Sequence, residues 1–347
     1  MDLRYGSARM SRSFPPESGP FSLLSGSAIS LPLPIGSAPA NLTPTSGVVG
    51  ARPRGIGYAV ADGAAGRSVE HTEAIVKGAQ RLDGFVCAAA AAPWSTALFC
   101  DIDGTISPIV SRPAEAAVPE ATREILAVLA RRLGLVAFVT GRGLEDGRSM
   151  IPLDGATYVG THGLEVMRSD GSVRTEPQAE RYIAQVQAVT DAASRDLDCE
   201  TLGIVLENKR TVLAVHYRLA PDPAVTRHEI IARVVEPARA CGLAISTGHY
   251  LFEVRPPLPF TKGTATRKLL DGEDYLAAIF CGDDHTDVTG FKAVHKWGRR
   301  DARRDACALA AVTAETPRPV IEEADVLVRA TPGVHEALAR LAEAVDV

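Results

Sequence analysis

The pattern of apolar and polar residues changes sharply at ALFCDIDGT (97–105), a continuous apolar run that ends in acids and a glycine. Such a run is typical of a strand that is buried on both faces and leads into a loop. Helical spacing predicts a helix over 119–132, and LGLVAFVTGR (133–142) predicts the next strand. A crossover makes the two strands parallel, so their carboxyl ends lie at the same edge of the sheet. Asp101 and Thr140, which follow these ends, are therefore expected at one edge.

Elements of the same kind return near the C-terminus, after a middle segment with a different pattern. The C-terminal part predicts a helix over 263–270 and strands within 275–284, 306–315 and 324–332. The middle segment predicts helices over 180–195 and 226–241 and, between them, an alternating strand over 205–218. We therefore expect an α/β protein in which a Rossmann-like core with a parallel sheet (91–167 and 253–347) carries an inserted, smaller α/β cap domain (168–252).

The first 90 residues carry no recognisable chemistry. Up to about residue 54 they are rich in Ser, Pro and Gly without periodicity, so residues 1–90 are expected to be a largely disordered extension. A helix is predicted over 68–82. Small residues at the end of 21–40 imitate a signal-peptide cleavage site, but a glycine and two prolines break the apolar run, so we favour a disordered leader.

Composition narrows the class of protein. An apolar fraction of 46% and a charged fraction of 23% are ordinary for globular proteins, and a net charge of -5 disfavours nucleic acid as a partner. No apolar run is long enough to cross a membrane, so a membrane partner is not expected either. The six cysteines are scattered without metal-site spacing, which predicts buried thiols in a reducing, cytoplasmic compartment.

The segment Asp101-Ile102-Asp103-Gly104-Thr105 places two carboxylates two residues apart at a predicted strand end. One aspartate is suited to attack phosphorus and form an aspartyl phosphate, while the second protonates the leaving alcohol and then activates water. Alone, the segment is also consistent with a metal loop or a solvated turn. Its position directly after a buried strand favours the catalytic interpretation.

Two further sites suit a phosphoryl group. Thr140 ends the second strand, where its hydroxyl and the following amides are placed to hold phosphoryl oxygens, with Arg142 close by; a helix N-cap is the alternative for Thr140. Lys262 stands at a predicted helix start, where ammonium and helix N-terminus both favour an anion; an ordinary exposed lysine is the alternative.

Three acids follow the next predicted strand, at Asp283, Asp284 and Asp287. Carboxylates in one loop repel one another unless a cation neutralises them, and oxygen ligands are those that Mg²⁺ prefers. A solvated acidic turn is the alternative. The loop therefore predicts a magnesium site.

The order of these motifs resembles that of a known superfamily. Asp101-x-Asp103-Gly-Thr, Thr140, Lys262 and Gly282-Asp283-Asp284-x-x-Asp287 are similar to the four motifs of the haloacid-dehalogenase-like phosphatases. Further segments resemble signatures of trehalose-6-phosphate phosphatases: Gly160-Thr161-His162-Gly163, Glu207-Asn208-Lys209, His216-Tyr217-Arg218, Glu253-Val254-Arg255-Pro256 and Gly282-Asp-Asp-His-Thr-Asp287. The resemblance extends from residue 97 to the C-terminus.

The resemblance implies specific roles. The catalytic residues are Asp101 (nucleophile), Asp103 (acid/base), Thr140 and Lys262. The substrate-binding residues are Gly104, Thr105, Gly141, Arg142, His162, Gly163, Glu207, Lys209, Glu253 and Arg255. Mg²⁺ is bound by Asp101, Asp103 (through its backbone carbonyl) and Asp283, with Asp284 and Asp287 orienting the loop behind it.

The implied reaction is hydrolysis of trehalose 6-phosphate to trehalose and phosphate, with functional coupling to a trehalose-phosphate synthase. Two alternatives stay open: a related phosphatase of sucrose phosphate or mannosyl-glycerate phosphate, and a regulatory homologue without catalysis. The chain departs from the resemblance at two positions. Val288 stands where an acid is usual, which puts support of the loop or contact with the substrate in doubt. Thr140 replaces the commoner serine but keeps the hydroxyl.

Overall fold

The computed structural model describes residues 75–110, 112–248 and 250–346 of the 347-residue chain. The predicted disordered leader, its signal-like segment 21–40 and the first part of the predicted helix, 68–74, lie outside the described residues. The strands are β1 Ile75–Lys77, β2 Thr96–Cys100, β3 Leu135–Val139, β4 Thr157–Gly160, β5 Glu165–Met167, β6 Val173–Thr175, β7 Val205–Asn208, β8 Leu213–His216, β9 Ala244–Gly248, β10 Leu251–Arg255, β11 Ala277–Gly282, β12 Asp305–Val312 and β13 Val326–Arg329. The helices are α1 Ala79–Ala91, α2 Glu120–Arg132, α3 Leu144–Met150, α4 Pro177–Glu180, α5 Ile183–Asp196, α6 Pro223–Ile230, α7 Glu236–Ala240, α8 Lys262–Leu270, α9 Val288–Gly298, α10 Arg318–Glu323 and α11 Ala330–Val345.

The larger sheet has the strand order β1-β13-β12-β11-β2-β3-β4-β5-β6. Its six central strands, from β13 to β4, are parallel, and β1, β5 and β6 are antiparallel to their neighbours. Side chains alternate across β2: Leu98 and Cys100 pack towards α1, α2 and α11, while Ala97 and Phe99 pack towards α8 and α9. Burial on both faces explains why the central strands are continuous apolar runs.

The smaller sheet lies in the chain between β6 and α8, with the strand order β7-β8-β10-β9 and antiparallel pairing throughout. One face packs against α5, α6 and α7 through buried residues such as Val186, Ile230 and Val254. The predicted fold class, α/β with a mainly parallel sheet and a second, smaller α/β unit, is confirmed.

The middle segment differs from the prediction in the number of its strands and in the bounds of its elements. The single strand expected over 205–218 is a hairpin of β7 and β8, because residues 209–212 form a tight turn in which Arg210 has a φ of +66°. The helix expected over 180–195 corresponds to α5, which begins three residues later, and the helix expected over 226–241 corresponds to α6 and α7 with a π-helical turn over Ile231–Val235 between them. The smaller sheet also extends to Arg255, three residues past the expected limit of 252.

The region before residue 91 differs from the expected disordered extension. Residues 75–77 form a strand, and the helix begins only at Ala79, after Gly78, instead of covering 68–82. Leu82, Phe85 and Ala89 recur at helical spacing and are fully buried against the sheet and α11. Helix α1 is therefore part of the larger packed unit.

We expect Phe85→Ala to lower the free energy of unfolding by about 3 to 5 kcal/mol, because the fully buried ring leaves a cavity against the sheet. Urea denaturation measures the effect. Gln80→Ala, at an exposed position of the same helix, is the matched control and is expected to stay within about 0.5 kcal/mol of the parent. A change below about 1 kcal/mol for Phe85→Ala would show that α1 does not belong to the core.

The cysteines partly follow the prediction. All six are free thiols, and Cys100, Cys281 and Cys307 are buried, but Cys87 and Cys241 are exposed.

None of the described helices combines the length and the apolar character required to cross a lipid bilayer.

Candidate active site

Asp101 lies immediately after β2, at the carboxyl edge of the larger sheet. Its backbone N–H donates to the Cys281 carbonyl at 2.9 Å, which continues the ladder between β2 and β11 and fixes the position of the residue. The side chain is buried, and Lys262 Nζ lies 2.8 Å from its Oδ1. A carboxylate and an ammonium thus meet at the ends of elements that are far apart in the chain.

Lys262 is the first residue of α8, after a Thr261–Thr264 capping box. It is 3% exposed, which rules out the ordinary exposed lysine. Its Nζ is also 2.8 Å from Asp287 Oδ1. Burial opposes the charge of this lysine, but the carboxylates of Asp101 and Asp287 outweigh it and raise its pKa well above the usual range. Lys262 therefore stays cationic between two buried acids.

Asp287 organises the acidic loop. While Oδ1 accepts from Lys262, Oδ2 accepts backbone N–H groups of Asp283 and Asp284, each at 3.1 Å. Asp284 in turn accepts from the backbone and hydroxyl of Thr286, at 2.7 and 2.6 Å. These contacts hold the loop between β11 and α9 in one shape.

Val288, which stands where an acid is usual, has an apolar environment. It begins α9 and packs in the apolar cluster against the sheet. The acidic loop is supported by Thr289, whose hydroxyl donates to the Thr286 carbonyl at 2.8 Å and accepts from the Gly263 backbone at 3.0 Å.

Asp283 lies against the loop that follows β2. The Thr105 hydroxyl donates to Asp283 Oδ1 at 3.2 Å. Gly104 has a φ of +84°, and a Cβ atom at this position would overlap the Asp283 carboxylate. Glycine is therefore required both by the backbone and by the close approach of the acid.

The acids form a group that suits a cation. Asp101, Asp283 and Asp287 each offer a carboxylate oxygen, and these oxygens lie within 4.8 Å of one another. Burial, followed by the charges of Asp287 and Asp284, raises the pKa of Asp283 to about 8. A divalent cation would relieve this repulsion, and carboxylate oxygens are the ligands that Mg²⁺ prefers. The residues present therefore fit the predicted metal.

Thr140 follows β3, and its backbone N–H donates to the Val159 carbonyl at 2.9 Å. Its hydroxyl accepts from the Arg142 backbone N–H at 3.1 Å. The N-cap position of α3 is Gly143, so Thr140 does not cap that helix as the alternative supposed. Asp101 and Thr140 do follow neighbouring parallel strands, as expected.

The Arg142 side chain is buried and pairs with two acids. Its Nε and Nη2 donate to the two oxygens of Asp103 at 2.7 and 2.8 Å, and Nη1 donates to Asp146 at 2.6 Å. Asp146 was not anticipated from the sequence. It lies four residues beyond Arg142, the spacing of one helical turn, and that spacing was the available signal.

His162 occupies a loop between β4 and β5 with a φ of +57°. Its Nε2 lies 3.2 Å from Glu253 on β10, so the pair connects the two sheets. Gly141 packs directly against the ring, since a Cβ there would lie 2.7 Å from His162 Cε1. Gly163 has a φ of +111°, which explains glycine at that position.

The β7–β8 hairpin brings its charged residues to the core. Lys209 Nζ donates to the Gly141 carbonyl at 2.9 Å and lies 3.6 and 3.7 Å from Glu207 and Glu253. The Lys209 side chain is 6% exposed, so this is not a surface ion pair. Burial opposes the charge of Glu253, but His162 and then Lys209 outweigh it and hold its pKa well below the usual range.

Other polar contacts lie near this group. Arg255 Nη2 donates to the Phe260 carbonyl at 2.5 Å, which places the arginine on the segment before α8. His216 Nε2 lies 3.1 Å from Glu207, and Arg210 lies 3.7 Å from Glu165. The Glu207–His216 pairing was missed because the sequence gives no register for a hairpin that was predicted as one strand.

Comparison with known proteins places the chain among phosphatases. It is 36% identical over 211 residues to an uncharacterized glycosyl hydrolase of Mycobacterium tuberculosis, covering 58% of this chain and 15% of that protein. It is 36% identical over 239 residues to a trehalose-phosphate phosphatase of Mycobacterium marinum, covering 65% and 60%. The C-terminal domain of trehalose-6-phosphate phosphatase from C. albicans has the same fold, with a TM-score of 0.62, 19% identity and coverage of 78% and 99%. The chain thus spans 15% and 60% of the lengths of the two relatives.

The parallel sheet and the acids at its carboxyl edge agree with the arrangement that the motif order predicted. The family model for trehalose-phosphatase matches residues 99–326, and the chain belongs to this family. The predicted resemblance is confirmed.

Proposed function

We propose that this protein is a Mg²⁺-dependent phosphomonoesterase that hydrolyses trehalose 6-phosphate to trehalose and phosphate. The observation that carries the proposal is the buried group formed by Asp101, Lys262 and Asp283 at the carboxyl edge of the sheet. Membership of the trehalose-phosphatase family supports the choice of substrate.

In the first half of the proposed reaction, a carboxylate oxygen of Asp101 attacks phosphorus. The bond from phosphorus to the sugar oxygen breaks, its electron pair stays on that oxygen, and Asp103 supplies the proton. The product is trehalose and an aspartyl phosphate on Asp101. Burial of Asp101 excludes bulk water from the attacking carboxylate.

In the second half, Asp103 is a carboxylate and accepts a proton from water as the water oxygen attacks phosphorus. The bond to Asp101 breaks, and its electron pair returns to that carboxylate. Phosphate is released, and the proton on Asp103 is available for the next turnover. One acid thus serves both halves in opposite protonation states.

The phosphoryl group is proposed to bind Thr140 and Lys262, with the backbone N–H of Gly141. The backbone N–H groups of Gly104 and Thr105, which the resemblance also assigned to the substrate, donate instead within their own loop, to the Ser107 and Ile102 carbonyls at 2.7 and 3.3 Å. Lys262 supports this because it is buried and cationic beside Asp101. Asp101, Asp283 and the Asp103 carbonyl would hold Mg²⁺, with Asp284 and Asp287 behind them. When bound, the ion neutralises the phosphoryl oxygens and favours the ionised form of the acids.

The sugar is proposed to bind Glu207, Lys209, Glu253 and His162. A disaccharide presents many hydroxyls, which charged groups bind well. Nδ1 of His162 is buried and has no hydrogen-bond partner within the described residues, and it lies in the same group as Lys209 and Glu253. An unpaired buried ring nitrogen is costly and suits a ligand hydroxyl.

Residues 168–252 are proposed to act as a cap over a core of residues 91–167 and 253–347. The separate antiparallel sheet supports this division, although β10 extends it to Arg255. Closure through Lys209 and Gly141 would exclude water and wrong substrates. A cytoplasmic location and coupling to a trehalose-phosphate synthase complete the proposal, the location supported by three buried free thiols.

The proposal is tested by phosphate release from a panel of trehalose 6-phosphate, sucrose 6-phosphate, mannosyl-glycerate phosphate and glucose 6-phosphate. The assay is run with Mg²⁺ and with a chelator. We expect trehalose 6-phosphate to give the highest kcat/KM and the chelator to abolish release. Preference for another sugar would contradict the substrate, and no release from any of them would favour a regulatory homologue.

We expect Glu253→Gln to raise KM for trehalose 6-phosphate about 10- to 100-fold, since a charged hydrogen bond contributes about 1.5 to 3 kcal/mol. Hydrolysis of p-nitrophenyl phosphate, which has no sugar hydroxyls, should change little. Glu200→Gln, at an exposed position of the loop before β7, is the control. Equal losses on both substrates would contradict a sugar-binding role.

A further inference from the structure

The guanidinium of Arg142 lies between two carboxylates. It is paired with Asp103 through both oxygens, at 2.7 and 2.8 Å, and with Asp146 at 2.6 Å. The arginine is 8% exposed, whereas the side chains of Asp103 and Asp146 are 33% and 42% exposed. The most deeply buried member of this group is thus the cation, held in place by its own loop.

The geometry fixes Asp103 more strongly than a single contact would. Two parallel N–H···O bonds from one planar group define the position of the carboxylate and the direction of its plane. The Arg142 backbone N–H also donates to the Thr140 hydroxyl at 3.1 Å. One residue therefore connects the proposed acid/base with the proposed phosphate-binding hydroxyl.

This arrangement differs from that of a phosphate ligand. Nε, Nη1 and Nη2 all donate to Asp103 or Asp146. Three of the five N–H bonds of the guanidinium thus point to carboxylates, so the side chain is already held by short, charge-assisted bonds to these two acids. The resemblance alone implied a substrate-binding role, but the geometry points to another role.

We propose that Arg142 is a positioning residue that holds the Asp103 carboxylate in place for the water-activating half of the reaction. The inference rests on the proposed function, in which Asp103 leaves the first half as a carboxylate. A two-bond pairing suits that carboxylate and keeps its oxygens in a fixed direction while water attacks the aspartyl phosphate.

Asp146 has a separate part in this arrangement. It lies in the first turn of α3, and its oxygen keeps Nη1 directed away from Asp103. Through this bond Asp146 holds the guanidinium from the side opposite to Asp103. Removal of Asp146 should therefore have a smaller effect than removal of Arg142.

The half-reactions are separated with p-nitrophenyl phosphate. Its leaving group departs without a proton from Asp103, so the first half does not depend on how that acid is positioned. We expect Arg142→Lys to release one p-nitrophenol per enzyme in a burst and then turn over about 10²-fold more slowly than the parent, because lysine keeps the charge but not the two-bond geometry. Phosphorylated enzyme, measured by mass spectrometry after acid quench, should accumulate in this variant.

Two further variants make the test specific. Asp146→Asn should slow turnover much less than Arg142→Lys, and Arg148→Ala, an exposed arginine of α3, is the matched control. Arg142→Ala should regain part of its rate when guanidinium ion is added at non-denaturing concentration. Thermal melting of each variant identifies a simple loss of fold.

Three results would overturn the inference. The first is unchanged turnover in Arg142→Lys, and the second is the absence of accumulated phosphoenzyme. The third is a burst that slows by the same factor as the steady-state rate, which is expected if Arg142 is a phosphate ligand. If the parent enzyme hydrolyses no sugar phosphate, the proposed function fails. If the parent is active and only the burst is missing, the positioning role alone fails.

Discussion

Asp101→Asn is expected to reduce turnover of trehalose 6-phosphate by about 10⁴-fold or more, the scale of losing a covalent nucleophile. The amide matches the carboxylate in size, but it does not attack phosphorus effectively. Steady-state phosphate release measures the loss. Because Lys262 keeps its partner Asp287, at 2.8 Å, the variant should remain folded.

Circular dichroism and thermal melting check that the fold is kept. Asp274→Asn, an exposed aspartate in the loop before β11, is the matched control and should retain the parent rate. Substantial activity in Asp101→Asn, after deamidation has been ruled out by mass spectrometry, would refute the assignment of the nucleophile.

The second large effect is expected for Lys262→Met. Methionine fills a similar volume but leaves the buried carboxylates of Asp101 and Asp287 without their shared cation. Removal of one partner of a buried ion pair costs about 3 to 5 kcal/mol of stability. Turnover should also fall about 10²- to 10³-fold, the range for losing one group that stabilises transition-state charge.

Guanidinium denaturation measures the stability loss, provided that its slope with denaturant is unchanged. Lys292→Met, at an exposed position of α9, is the control and should change stability by less than about 0.5 kcal/mol. If Lys262→Met were as stable and active as the parent, the buried ammonium would have neither of its proposed roles.

The parallel sheet was predictable because its strands are buried on both faces. The runs ending at Cys100, Val139 and Gly282 contain almost only apolar residues, and each is followed at once by a polar residue of the site. Right-handed crossovers then require these ends to share one edge. The apolar runs and their polar ends are therefore enough to predict that Asp101, Thr140 and Asp283 lie at one edge of the sheet.

Helix α1 was missed for a different reason. Its stripe of Leu82, Phe85 and Ala89 is short, and alanines around it make the helix weakly amphipathic, so it was assigned to an extension. What secures the helix is tertiary packing on α11 and the sheet, which no local pattern reveals.

Side-chain pairing was the least predictable part of the site. A spacing of two placed Glu207 and Lys209 on one face, and they are 3.6 Å apart, but the bond from Lys209 to Gly141 depends on how the hairpin approaches the core. The pairing of Arg142 with Asp103 depends likewise on loops that meet only in the fold.

The central claim is that the phosphoryl group passes through the Asp101 carboxylate. The most direct measurement is acid quench during turnover, followed by proteolysis and tandem mass spectrometry of the peptide that contains residues 101–105. The account predicts a phosphate on Asp101 and none on Asp103, lost in Asp101→Asn. Turnover with no phosphorylated peptide, or with the phosphate on another residue, would contradict it.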